Sequence, residues 1–135
     1  MNYLVDANVL SEATRPQPSP EVVSWLRANE SKLAINAVIL GEIRLGILLL
    51  PSGKRRTGLE AWFENGISRL SCLPWDAATA MEWASLLATL RKKGKSMPLK
   101  DSMIAATAIR HNLTIATRNV VDFKPTQLPI VNPFD

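Results

Sequence analysis

The sequence predicts an α/β fold: one domain over residues 1–135, with a central parallel sheet of four to five short strands flanked by helices. Three observations lead there. Short apolar runs alternate with stretches of helical periodicity, which is the pattern of βαβ units and of a sheet covered on both faces. The chain has 135 residues, about one domain's worth. A chain of that size buries roughly two-thirds of its unfolded surface and needs no staple. Finally, no internal repeat, low-complexity tract or interdomain linker interrupts it.

Taken in order, Tyr3-Leu4-Val5 is a buried strand bounded by Asp6 and Asn8. Arg15-Pro16-Gln17-Pro18-Ser19-Pro20 must be loop, because its prolines remove amides and fix φ. Ser19-Pro20-Glu21 then has the form of an N-cap, a proline at the first helical position and an acid in the first turn, opening a helix over Val22 to Asn29. Lys32-Leu33-Ala34-Ile35 is the second strand, and Asn36 caps a helix from Ala37 to about Leu50, stopped by Pro51-Ser52-Gly53. A third helix is expected from about Arg55 to Ser68, followed by a strand at Leu70-Ser71-Cys72-Leu73. Asp76 caps a long helix to about Lys93, whose end is marked by its basic last turn and Gly94. After Pro98 an alanine-rich helix runs to Ile109 or His111. Leu113-Thr114-Ile115-Ala116 and Pro129-Ile130-Val131 complete the sheet.

Composition narrows the chemistry. With 47% hydrophobic and 21% charged residues, the chain is that of an ordinary globular protein. The single cysteine, Cys72, excludes an internal disulfide and multi-cysteine zinc sites. The single histidine, His111, excludes His-pair metal sites and two-imidazole relays. Hydrolysis here would have to run on carboxylates. The start has no basic region ahead of an apolar run, and Val38 to Leu50 is too short and too interrupted to cross a bilayer. A cytoplasmic protein with no membrane association is the expectation. Sixteen Lys and Arg against twelve Asp and Glu give +4, which favours a polyanionic partner. The bases cluster at Lys54-Arg55-Arg56 and Arg91-Lys92-Lys93-Gly94-Lys95, where solvated helix ends are the simpler reading.

Four carboxylates stand where carboxylates do not belong. On the Ala37–Leu50 helix the i±3 and i±4 neighbours of Glu42 are Val38, Ile39, Leu45 and Gly46, which puts Glu42 on the buried face with no basic partner at helical spacing. A buried unpaired carboxylate costs several kcal/mol, so something must compensate it, whether an arginine from another helix, backbone amides or a cation. Asp101 faces Pro98, Ile104, Ala105 and Ala108, although its place in a first turn also suits the helix dipole. Asp6 leaves the first strand, and in open parallel sheets ligands bind beyond the strands' carboxyl ends. Asp122 lies five residues past Thr117, after another strand. Held together, four carboxylates raise one another's pKa unless a cation neutralises them. Oxygen ligands without His or Cys suit Mg²⁺ or Mn²⁺, the metals of phosphate-ester cleavage.

These segments carry a resemblance. Leu4-Val5-Asp6-Ala7-Asn8-Val9-Leu10-Ser11-Glu12 resembles the opening of PIN-domain ribonucleases, most closely the VapC toxin family and its FitB-like group. Ile39-Leu40-Gly41-Glu42-Ile43-Arg44-Leu45-Gly46-Ile47 is similar to the second motif, and Lys100-Asp101-Ser102-Met103-Ile104-Ala105-Ala106-Thr107-Ala108 to the third. Ala116-Thr117-Arg118-Asn119-Val120-Val121-Asp122-Phe123 is similar to the fourth, and Val131-Asn132-Pro133-Phe134 to the usual ending. The resemblance spans essentially the whole chain.

It implies a single PIN domain over 1–135 and a metal-dependent endoribonuclease, the toxin of a toxin–antitoxin pair. The acidic quartet falls on Asp6, Glu42, Asp101 and Asp122, holding Mg²⁺ or Mn²⁺, with Asn8, Thr117 and Asn119 in support. Arg15, Arg44 and Arg118 become candidates for RNA phosphate contacts. The implied partners are an RNA substrate and a cognate antitoxin that covers the acidic cleft and alone contacts DNA. A homodimer and a larger toxin–antitoxin complex are implied too. Two departures stand out: Ala7 where relatives commonly have Thr, and Asn119 where an acid is often found. Two alternatives remain at this point, a catalytically inactive PIN-like interaction module and a receiver-like phosphoacceptor. The receiver fits poorly, because Ala7-Asn8 follows Asp6 where a second acid is wanted.

Overall fold

In the computed structural model, which describes residues 1–135, five strands form one all-parallel sheet. They are β1 (Tyr3–Val5), β2 (Leu33–Asn36), β3 (Ser71–Leu73), β4 (Thr114–Ala116) and β5 (Ile130–Val131), in the order β3-β2-β1-β4-β5. Central β1 sets Tyr3 opposite Leu33 and Thr114, and Leu4 opposite Ala34 and Ile115. Both faces of this strand pair are covered, which is why Leu4, Val5, Ala34, Ile35 and Ile115 are all fully buried and the strands read as unbroken apolar runs.

Seven helices surround the sheet: α1 (Ala7–Glu12), α2 (Pro20–Ala28), α3 (Ala37–Leu48), α4 (Lys54–Asn65), α5 (Ala77–Lys92), α6 (Leu99–His111) and α7 (Val120–Phe123). The expected caps are in place. Ser19 Oγ accepts from the Val22 amide at 3.4 Å with Pro20 at the first helical position, Asn36 Oδ1 accepts from Ile39 at 2.8 Å, and Asp76 Oδ1 accepts from Thr79 at 2.9 Å. Ile39, Ile43 and Ile47 make the buried stripe of α3. Trp83 fastens α5 to α6 through a 3.0 Å bond from Nε1 to Ser102 Oγ, and Trp25 meets Tyr3 edge-on at 4.9 Å, so these indoles are packing elements. No helix is long and apolar enough to cross a membrane.

Two helices were not anticipated from the sequence. α1 has six residues and α7 four, too short for a period to show. Their stability comes from outside the segment: Val9 and Leu10 of α1 and Phe123 of α7 are sunk in the core. The helix expected over Arg55 to Ser68 ends at Asn65, and Ile67–Arg69 tightens into a 3₁₀ turn after Gly66.

The two basic runs fall at opposite helix ends. Arg91 and Lys92 occupy the last turn of α5, where the dipole favours cations. Lys54-Arg55-Arg56 opens α4, where it does not. Arg56 is compensated there by Glu60 Oε1 at 2.8 Å and by the Leu50 carbonyl at 3.2 Å.

The topology locates the crevice. The chain moves outward from β1 through β2 to β3, then crosses to β4 on the other side of β1. The direction reverses between β1 and β4, and residues leaving the carboxyl ends of these two strands face each other across the switch point.

Candidate active site

Asp6 is the last residue before α1 and its N-cap, 1% exposed. Oδ1 accepts from the Ala7 amide at 2.8 Å, and Oδ2 accepts from Thr117 Oγ1 at 2.9 Å and from Asn8 Nδ2 at 3.3 Å. Thr117 leaves β4 fully buried, and its hydroxyl oxygen also accepts from the Asn119 amide at 3.0 Å. Asn8 turns its Oδ1 to the Arg118 amide at 3.2 Å. A strap of hydrogen bonds thus ties the ends of β1 and β4 together around one carboxylate. Burial raises the Asp6 pKa; the Thr117 and Ala7 bonds oppose this without cancelling it, and the charge of Glu42 adds to the rise.

Asp101 and Glu42 enter from helices. Asp101, in the first turn of α6, is 3% exposed, and its Oδ1 is buried with no partner. Desolvation, reinforced by the charges of Asp6, Asp122 and Glu42 and opposed by Lys100, pushes its pKa from the ordinary 3.8 up to about 6. Glu42 corrects the sequence expectation. It flanks the Ile39–Ile43–Ile47 stripe rather than lying in it, and its side chain is 35% exposed. The compensation is a cation from another helix: Lys100 Nζ donates to Glu42 Oε1 at 2.9 Å. Glu42 Oε2 stays buried without a partner.

Asp122 sits half-buried in α7, near enough for its charge to raise the Asp101 pKa. The structure therefore brings all four predicted carboxylates into one electrostatic neighbourhood, with Asn8 and Thr117 bonded to Asp6. Asn119 joins through its backbone amide, and its side chain is exposed without capping α7.

The arginines separate. Arg118 is exposed beside the crevice, its guanidinium 4.6 Å over the Phe134 ring. Arg15 is exposed and pairs with Glu12 at 3.3 Å. Both line a groove between α1, α3 and α4 that also contains Asn8, Glu42, Arg55 and Trp62. Arg44 lies 5.6 Å over Phe63, part of the α3–α4 contact, and is half-buried there. It is the one candidate the fold engages elsewhere.

Two residues of the site escaped the sequence reading. Lys100 stands next to Asp101, but a search for partners at helical spacing from Glu42 cannot reach 58 positions along the chain. Glu12 is 7% exposed and accepts from the Ser19 amide at 2.8 Å, which holds its pKa below the ordinary range and ties α1 to the proline loop. Its only signal is an acid following the apolar Val9-Leu10.

The donor set is carboxylate and hydroxyl oxygen throughout, with two carboxylate oxygens orphaned in the interior. Hard divalent cations take such ligands. No three acidic side chains converge on one point at ligating distance.

A doubly wound domain with acids gathered at its switch point is the arrangement of PIN domains. Residues 3–124 match that family, and the chain belongs to it. Within the family it falls with the FitB and VapC relatives. It is 36% identical to Toxin FitB of Neisseria gonorrhoeae, with 97% of each chain covered. It is 32% identical to VapC ribonuclease Y4jK of Sinorhizobium fredii, covering 98% of this chain and 97% of that one. The solved structure of FitAB bound to an IR36 DNA fragment superposes with a TM-score of 0.91 at 35% identity, over 98% of this chain and 96% of that one. The receiver-domain alternative thereby drops out.

Proposed function

We propose that this protein is a metal-dependent endoribonuclease, the toxin of a type II toxin–antitoxin pair, hydrolysing RNA phosphodiester bonds. The observation that carries the reading is the group of mutually repelling carboxylates at the switch point, with Glu42 Oε2 and Asp101 Oδ1 buried and unpartnered. A site built this way is incomplete without a cation. Asp6, Glu42, Asp101 and Asp122 are the residues that hold Mg²⁺ or Mn²⁺. When bound, such an ion lowers the pKa of attacking water and stabilises charge on the phosphate.

The remaining roles belong to the chain. Thr117 and Asn8 orient Asp6 by donating to Oδ2, so that its ligating lone pairs keep one direction. Asn119 supports Thr117 through its amide. Arg118 and Arg15, exposed at the crevice, contact RNA phosphates, and stacking on Phe134 limits the freedom Arg118 loses on binding. Arg44 acts at one remove, by seating α4 on α3. His111, at the end of α6, takes no part.

The partner assignments rest on the relatives' names and on the family resemblance. FitB is a toxin and FitAB a complex bound to DNA, which supports a cognate antitoxin as partner and a larger complex that reaches DNA. The homodimer, the covering of the acidic crevice by the antitoxin and DNA contact through the antitoxin alone follow from the family resemblance.

The test is cleavage of a total-RNA pool by purified protein with Mg²⁺, Mn²⁺ or EDTA, beside Asp101→Asn, with sequencing of 5′-phosphate ends. Metal-dependent cuts that vanish in the variant are expected. Cuts that persist in EDTA overturn the metal dependence. The absence of any cut, with intact antitoxin binding, makes the chain an inactive PIN-like interaction module.

A further inference from the structure

Lys100 has no role in the function proposed above, yet it occupies the electrostatic centre of the site. It is the second residue of α6, and its ammonium reaches across to α3 to donate to Glu42 Oε1 at 2.9 Å. The same ammonium feels the charges of Asp6 and Asp101. One monovalent cation on a flexible stem therefore serves three carboxylates and leaves two of their oxygens, Glu42 Oε2 and Asp101 Oδ1, without partners. A single ammonium is too little charge for this site.

The pair is also weak enough to break. Its side chains are 43% and 35% exposed, and an ion pair so placed contributes little to stability. Lysine, unlike arginine, brings a point charge without the planar fork that would lock a carboxylate in two bonds. A divalent cation taken up by the free Glu42 Oε2 would repel the ammonium held at Oε1 of the same carboxylate, and so would loosen the Lys100 bond.

We propose that Lys100 is a built-in counter-ion that holds Glu42 in the metal-free protein and leaves it when a divalent cation enters, thereby setting the metal affinity of the site. The inference rests on the metal-dependent reading above. A different role, a simple tie between α3 and α6, makes the opposite prediction: its loss lowers stability equally with and without metal and leaves metal binding unchanged.

The experiment is calorimetric titration of Mn²⁺ into the metal-free full chain at fixed pH and ionic strength, with wild type, Lys100→Met and Lys100→Arg. Removing the competing cation should tighten Mn²⁺ binding about fivefold in Lys100→Met, while Lys100→Arg, whose fork can hold Glu42 in two bonds, should bind Mn²⁺ more weakly than wild type. Melting provides a second readout: the rise in Tm produced by a given Mn²⁺ concentration should be larger in Lys100→Met than in wild type. Unchanged or weaker Mn²⁺ binding by Lys100→Met, with wild type binding normally, overturns the counter-ion role alone. Failure of every variant to bind Mn²⁺ overturns the metal reading and the counter-ion with it.

Discussion

The strand side and the helix side of the acidic crevice are built on opposite principles. On the strand side Asp6 is buried, but three donors meet it, and Thr117, Asn8 and Asn119 lock one another in turn. On the helix side Asp101 is buried with an oxygen unpaired, and Glu42 leans on a half-exposed lysine. The strand side is finished by folding, whereas the helix side is left for something else to finish. A polar group buried without a partner is costly, so a folded chain retains it where a ligand repays the cost. On the metal-dependent reading, the difference makes Asp6 the fixed reference of the site, and makes Asp101 and Glu42 the groups whose energy would change on loading.

The sharpest way to break this comparison is activity. Asp6→Asn and Asp101→Asn should each reduce RNA cleavage by more than about a hundredfold, since even groups that only orient metal ligands are worth 10- to 100-fold. Rates measured on the cleaved RNA at saturating Mg²⁺ would show it, and a variant retaining wild-type rate removes that residue from the quartet.

Stability in EDTA should then split the same two variants. Asp101→Asn removes a desolvated charge and should stabilise the metal-free chain by about 1 kcal/mol. Asp6→Asn turns an amide donor towards the donors Thr117 and Asn8 and should cost about 1 kcal/mol. Urea unfolding of both in EDTA decides it, and equal shifts of one sign would erase the distinction. The pH dependence follows from the same groups. Because the folded carboxyl of Asp101 titrates near 6 and the unfolded one near 3.8, the folded chain binds more protons between those values. Metal-free stability therefore falls as pH rises through that window, and Asp101→Asn should flatten the fall. Asp6, also raised, leaves a residual slope of the same sign.

Thr117→Val tests the strap. It removes the bond to Asp6 and the acceptor for Asn119 while keeping the volume, and should cost about 1 kcal/mol with about tenfold weaker Mn²⁺ binding. Titration and melting of the variant measure both effects. The smallest change is expected for Glu42→Gln in EDTA: under about 0.5 kcal/mol, because a half-exposed ion pair is worth little. A larger loss in thermal melting would mean that the Lys100 pair is a structural anchor.

Much of this was legible in the sequence because its signals are local. Period and caps placed β1 through β5 and the longer helices, and Ser19, Asn36 and Asp76 cap as their neighbours require. The quartet was legible too, since an acid among apolar residues or at a strand end needs no coordinates to stand out. The short helices α1 and α7 were not, because a helix of one or two turns is held by the core it touches rather than by its own residues. The exposure of Glu42 was misjudged for a related reason. Apolar neighbours on one helix fix a face, but the packing of α3 against the sheet decides which part of that face is covered.

By itself the sequence determined which side chains are available: four carboxylates in their motifs, no second histidine or cysteine, and strands too apolar to leave uncovered. Only the tertiary structure decided how they are paired. Asp6 meets Thr117 across 111 positions of chain and Glu42 meets Lys100 across 58. Hydrogen bonds and charges act over a few ångströms of space, so which acid is satisfied, which is strained and which cation stands in the way depend on distances that only the folded chain defines.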